Sequence, residues 1–194
     1  MPHADSSLIP PTISTKSEFY EFVAPQLRAL LEGQRNWITN LSNAASLLYH
    51  SYESFSSHFG SEDRAVNWSG FYLHSSMFPL QPEEAKKSEG VLLLGPFSGK
   101  PACQLIRAQL GKGVCADAYV SRKTVIVQDV NSYPGHIACD GGTQSEIVLP
   151  IIVNDQAIGV LDLDCLAIAG FNEEDQKGLE EIVNIIINSC DWDI

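Results

Sequence analysis

The stretch from residue 145 to residue 165 constrains this 194-residue chain most. Ser145-Glu-Ile-Val-Leu-Pro-Ile-Ile-Val153 and Ala157-Ile-Gly-Val-Leu-Asp-Leu-Asp-Cys165 are two strand-like runs separated by a turn around Asn154-Asp155. Runs joined this closely read as an antiparallel hairpin. Within the second run, Asp162 and Asp164 are two residues apart, so on a strand both point to one face while Leu161, Leu163 and Cys165 point to the other. A three-residue loop, 154 to 156, is expected, because Asn154-Asp155 offers no Gly for the second position of a type I′ turn. That loop pairs Val153 with Ala157 and so sets Glu146 opposite Asp164; a two-residue loop would send Glu146 to the apolar face.

Three carboxylates gathered on one sheet face repel one another. Such a cluster raises at least one pKa and calls for an ammonium group, a metal ion or a proton. An acid-x-acid pair on a strand is also what the solvated face of a half-exposed sheet looks like, so by itself it does not define a site.

The rest of the chain surrounds this hairpin with both periodicities. Phe19, Phe22, Val23, Leu27, Leu30 and Leu31 recur at helical spacing, with Pro25 expected to bend or break the segment. Trp37, Leu41, Ala44, Ala45, Leu48, Tyr49 and Tyr52 mark a longer amphipathic helix. Strand-like runs follow at 68–74, 90–96 and 124–128, and residues 113–122 suit a short helix behind Gly111-Lys-Gly113. After the hairpin, Asn172 can cap a helix whose first turn carries Glu173, Glu174 and Asp175. The fold class is therefore α+β, an antiparallel sheet with helices before, within and after it. Residues 1–14, with three prolines and no periodicity, read as a flexible arm, residues 15–194 as one domain, and 79–90 as an exposed connection.

Charge narrows the function. The formal net charge is −12, and Lys86-Lys87 and Arg122-Lys123 are the paired cations, so a phosphate backbone is a poor partner. No apolar run reaches the roughly 18–20 residues of a spanning helix, and the first residues lack a secretory leader's pattern, so neither a membrane nor export is expected. Five cysteines, at 103, 115, 139, 165 and 190, do not make a secreted disulfide framework. Cys139 sits between Pro134-Gly135 and Gly141-Gly142, in a loop whose amides can face an anion and where His136 can help hold a thiolate. Cys103 follows a turn-rich approach to a strand. Cys115, at a helix entry, has the dipole to lower its pKa, whereas Cys165 and Cys190 read as structural. Zinc is disfavoured, because neither Cys-x-x-Cys nor His-Glu-x-x-His is present.

Asn67-Trp-Ser-Gly-Phe-Tyr-Leu73, Leu94-Gly-Pro-Phe-Ser-Gly-Lys-Pro-Ala-Cys103, Gly111-Lys-Gly-Val-Cys115, Tyr133-Pro-Gly-His-Ile-Ala-Cys-Asp140, Ser145-Glu-Ile-Val-Leu-Pro150 and Gly159-Val-Leu-Asp-Leu-Asp164 together resemble the free methionine-R-sulfoxide reductases, a GAF-domain family. The resemblance implies a six-stranded antiparallel GAF sheet flanked by helices on both faces. It implies reduction of free L-methionine (R)-S-oxide through a cysteine sulfenic acid and an intramolecular disulfide, with thioredoxin as reductant and no bound cofactor. Residue by residue, it implies Cys139 as the catalytic cysteine, Cys103 as the cysteine that forms a disulfide with it, and Cys115 as an additional thiol in resolution or relay. Glu146, Asp162 and Asp164 match the pocket carboxylates, with Glu146 and Asp164 also implied in catalysis, and Trp68 and Tyr72 match the aromatic residues at the methyl-sulfoxide end. A homodimer and a cytoplasmic location, with the nucleus as a second compartment, are further expectations. The alternative is a non-enzymatic GAF module that senses a small molecule. Two departures stand out: Cys103 and Cys115 are 12 residues apart, more than is usual in the family, and Asp117 follows Cys115 where the family commonly has a small residue, a charge expected to oppose thiolate formation.

Overall fold

The computed structural model describes residues 9–79, 90–137 and 140–192. The start of the expected arm, residues 1–8, most of the expected 79–90 connection, and Cys139 lie outside the described residues.

Helix α1 spans Lys16–Leu31 and α2 spans Trp37–Ser54. Thr15 caps α1 in a capping box with Glu18, and Asn36 caps α2 through its side chain. Helix α1 continues through Pro25. Phe19, Val23, Leu27 and Leu31 form its buried stripe, whereas Pro25 and Glu21 face solvent, so the Glu21 carbonyl left without an N–H from residue 25 can be hydrated. The strands are β1 (Val66–His74), β2 (Val91–Gly99), β3 (Leu105–Arg107), β4 (Val125–Val127), β5 (Ser145–Val153) and β6 (Gln156–Cys165). Helix α3 (Val114–Ser121) lies between β3 and β4, and α4 (Glu173–Ser189) follows β6. All pairings are antiparallel, in the order β3-β2-β1-β6-β5-β4.

The hairpin differs from the expected one in its turn and agrees in its register. The loop has two residues, Asn154 and Asp155, with φ of 49° and 62°, and Val153 pairs with Gln156. Both are residue types that tolerate the left-handed region, so the turn forms without Gly. A bulge then intervenes: Ile152 pairs with Ala157 but Ile151 pairs with Gly159, leaving Ile158 as the extra residue on β6. That residue offsets the shorter loop, and Glu146 does lie opposite Asp164.

The sheet has two different faces. Phe71, Leu73, Ile147, Leu149, Ile151, Leu161, Leu163 and Cys165 pack with α1, α2 and α4 in the larger core. Tyr20 of α1 rests on Gly178 of α4 so closely that a Cβ there would meet its ring at 2.0 Å. Asn172 and Asp175 form the capping box of α4, and the buried Asp175 also pairs with the Lys16 ammonium and accepts from Tyr20 Oη at 2.9 Å. The opposite face carries Trp68, Tyr72, Val148 and Val160 under α3 and the segments around it.

Candidate functional site

One position on the second face has no side chain, and an aromatic ring fills the room it leaves. Gly70 of β1 pairs with Asp162 of β6, and a Cβ at Gly70 would lie 2.4 Å from Phe97 Cβ and 2.5 Å from Trp68 Cη2. The Trp68 indole thus leans over the glycine, stacked 5.8 Å from the Tyr72 ring and 5.5 Å from the Phe97 ring. Both aromatic residues hold the segment that leads to Cys103: Trp68 Nε1–H donates to the Lys100 carbonyl at 3.2 Å, and Tyr72 Oη–H donates to the Cys103 carbonyl at 2.9 Å. Cys103 is disulfide-bonded, while Cys115, Cys165 and Cys190 are free thiols.

Beside this aromatic wall stand the acids. Asp164 lies between Trp68 and Glu146 in the register, and Asp162 between Gly70 and Val148. Glu146 and Asp162 are buried, and Asp164 is partly so. Burial first, and then the Asp162 and Asp164 charges, push Glu146 well above the usual carboxylate range. Burial raises Asp162 to about 7, and burial followed by the Asp162 charge raises Asp164. At neutral pH this cluster retains protons that exposed acids would have released. His136 approaches with Nε2 3.5 Å from Glu146 Oε2; burial lowers the imidazole pKa and raises that of the acid, so burial favours the uncharged form of each. The sequence associated His136 with a thiolate; among the described residues its neighbour is Glu146.

Helix α3 brings the third wall. Gly113, at φ 103°, precedes Val114 and Cys115, and the buried Cys115 thiol donates to Asp162 Oδ2 at 3.3 Å. Its pKa is raised, by burial first and then by the Asp162 and Glu146 charges. The expected lowering by the helix dipole is therefore overridden: the thiol is a protonated donor to a carboxylate in a buried wall. Asp117 is not what raises it. That side chain turns away to accept from the Gly111 amide at 2.6 Å and from Tyr133 Oη at 2.7 Å. Burial, and then the Asp117 contact, push the Tyr133 phenol up to about 12.

The mouth is braced by residues the sequence reading passed over. Asp140 accepts from Lys100 Nζ at 3.0 Å, from the Gly142 amide at 3.1 Å and from Asn67 Nδ2 at 3.2 Å, and these contacts, the lysine first, lower its pKa. Asn67 Nδ2 also donates to Thr143 Oγ1 at 3.1 Å. Asn67 begins one motif quoted above and Asp140 ends another, but only the folded chain reveals that they meet. Lys112, Ile106 and Ile137 also line the cavity, which together with the open space at its mouth measures about 500 Å³.

Cys115, Glu146 and Asp162 offer donor atoms within 4.8 Å of one another, close enough to converge on one cation. Among the described residues they make three ligands, one fewer than a closed structural zinc site takes, and two of the three are carboxylates that can also accept from an ammonium group. Asp162 Oδ1 is buried without a hydrogen-bond partner among the described residues, placed to accept from such a donor.

A six-stranded antiparallel sheet in this order, helices on both faces and a polar cavity under one of them define a GAF domain; residues 64–187, from just before β1 into α4, match the GAF domain family. The chain is 46% identical over 176 residues to the free methionine-R-sulfoxide reductase of Saccharomyces cerevisiae (strain ATCC 204508 / S288c), covering 90% of this chain and 87% of that one. A solved GAF-domain structure superposes with a TM-score of 0.80 at 44% identity, covering 98% of this chain and 97% of its own. The free methionine-R-sulfoxide reductase of Neisseria meningitidis, solved with its substrate, superposes with a TM-score of 0.75 at 33% identity, covering 94% and 95%. The chain belongs to the free methionine-R-sulfoxide reductase family.

Proposed function

We propose that this chain reduces free L-methionine (R)-S-oxide to L-methionine. The observation that carries the reading is the pairing, in one cavity, of a cluster of high-pKa carboxylates with an aromatic wall hydrogen-bonded to the Cys103 segment.

Sulfoxide reduction needs a sulfur nucleophile at the substrate sulfur and a proton for the oxygen, because an unprotonated oxide is a poor leaving group. In our reading the thiolate of Cys139 attacks, and an acid of the Glu146, Asp162 and Asp164 cluster, protonated near neutrality, delivers the proton. The oxygen passes from the substrate sulfur to the Cys139 sulfur as the substrate S–O bond breaks and the new S–O bond forms, so methionine departs and Cys139 is left as a sulfenic acid. The Cys103 thiol then displaces water to form a Cys139–Cys103 disulfide, and thioredoxin reopens it by thiol–disulfide exchange. Cys115, held protonated by Asp162, acts in the wall and not as the first thiol to meet the sulfenic acid. The ionised remainder of the acid cluster receives the substrate ammonium, whose three N–H donors match convergent carboxylate oxygens. Lys112, the lysine on the lining, meets the substrate carboxylate. Trp68 and Tyr72 take the methyl-sulfoxide end. A peptide-bound residue, with both ends tied up as amides, has neither charge to offer.

The test is NADPH oxidation coupled through thioredoxin and thioredoxin reductase. Turnover is expected with the free R epimer, and neither with the S epimer nor with an N-acetylated, amide-capped analogue. Equal rates for the free and capped substrates, or none with the free R epimer, would overturn the reading.

A further inference from the structure

Two adjoining loops contribute to the cavity wall. One runs from Gln109 to Gly113 and delivers Lys112 and, at the start of α3, Cys115; the other runs from Tyr133 to Ile137 and delivers His136 and Ile137. They touch through glycines. A Cβ on Gly135 would lie 2.5 Å from the Gly111 carbonyl oxygen, and one on Gly113 would lie 3.5 Å from Ile137 Cδ1. Backbone contacts this bare resist approach but supply little to hold the loops together. Asp117 supplies it. From the first turn of α3, Oδ1 accepts the Gly111 amide of one loop and Oδ2 accepts the Tyr133 hydroxyl that begins the other. Asp117 is not among the residues lining the cavity, and its charge is not a cause of the raised Cys115 pKa. Both oxygens are directed at the two loops.

We propose that Asp117 is a positioning residue whose carboxylate clamps the 109–113 turn to the 133–137 loop and so fixes the width of the substrate pocket. The proposal rests on the reductase reading for its substrate. Without the clamp the paired loops spend only a fraction of their time in the binding-competent arrangement, and apparent affinity falls by that fraction, while the bound complex, reordered by substrate, reacts at its former rate. The signature is a rise in KM with kcat preserved.

The experiment compares Asp117→Ala, Asp117→Asn, Tyr133→Phe and the Asp117→Ala/Tyr133→Phe pair. Alanine is expected to raise KM for free methionine (R)-S-oxide about tenfold with kcat within about twofold. Asparagine can still accept from Gly111 and can donate to the Tyr133 oxygen, so it should restore KM to within about twofold of the parent. The double variant should be no worse than Asp117→Ala alone, since both changes remove one clamp. A lowered melting temperature with unchanged KM, an Asn variant as impaired as Ala, or additive losses in the pair would overturn the proposal. Hydrogen exchange in the 109–113 and 133–137 amides of the substrate-free protein provides a second readout. It should quicken in Asp117→Ala and recover in Asp117→Asn, and unchanged exchange refutes the clamp. A chain that turns over no sulfoxide but shows this exchange pattern would refute the substrate and leave the clamp standing.

Discussion

Replacing Asp162 with asparagine is expected to make the protein more stable above pH 7 and less active. Burial holds this carboxyl near pH 7 in the folded chain against its ordinary 3.8. Below pH 3.8 it is protonated in both states and contributes nothing to the balance. Between 3.8 and 7 the unfolded chain releases a proton that the folded chain retains, so folding stability falls as pH rises through that window, at about 1.4 kcal/mol per pH unit. The loss accumulated by pH 7 is about 4 kcal/mol for this one group. Glu146 and Asp164, also raised, act in the same direction. Asparagine has the shape of the acid without the charge: its oxygen can accept from Cys115 and its amide can donate to Glu146, the two side chains bonded to Asp162 in the parent. Denaturant titrations of the reduced protein from pH 4 to pH 9 should therefore find parent and Asp162→Asn within about 1 kcal/mol at pH 4 and separated by up to about 4 kcal/mol at pH 8, about 8–16 °C in melting temperature for a chain of this size. Sulfoxide reduction should fall in the same variant, because the acid cluster has lost a member. Parallel pH profiles for the two proteins, or an asparagine variant weaker than the parent at pH 8, would refute the argument that Asp162 is held protonated at the expense of the fold.

Cys139→Ser should abolish turnover, whereas Cys103→Ser should release one equivalent of methionine per chain and then stall; sustained thioredoxin-dependent turnover by Cys103→Ser would remove Cys103 from the cycle. Lys16→Met should cost about 3–5 kcal/mol in urea denaturation at pH 7, since it strands the buried Asp175 carboxylate without its cation, and should leave kcat unchanged because the pair lies on the face of the sheet away from the cavity. A cost below about 1 kcal/mol would mean that Tyr20 and the capping amide already neutralise Asp175.

Much of this architecture is legible in the order of residues because period-2 and period-3.6 patterns are local. Asp162 and Asp164 on one face, Leu161 and Leu163 on the other, follow from alternation alone, and the Asn172 cap follows from the acids after it. The turn was not legible in the same way. Asn154 and Asp155 both adopt positive φ, and the bulge at Ile158 has no signature that distinguishes it from continuous strand, so the residues imply the Glu146–Asp164 pairing only with a loop one residue longer than the real one. Contacts between distant segments were invisible for a different reason. Lys16 meets Asp175, His136 meets Glu146, and Asp117 meets Tyr133, and in each case the residue type at one end says nothing of its partner. The Cys115 thiol shows how this affects chemistry: the local helix terminus argues for a lowered pKa, while the non-local carboxylates and burial raise it.

The two faces of the sheet divide opposing demands. On β6, Leu161, Leu163 and Cys165 enter a core sealed by three helices, while the residues between them, Asp162 and Asp164, sit in a cavity where burial works against their charge. Each strand thus carries stabilising and destabilising residues in alternation, and the bulge that fixes the register decides which set faces which way. A destabilising cluster can persist in such a fold because the residues that offset it are bonded into the same strands and cannot separate from it. It follows that substitutions which stabilise the cavity face should tend to remove the proton source, whereas substitutions in the α1–α4 contact around Tyr20 and Gly178 can change stability without touching the chemistry.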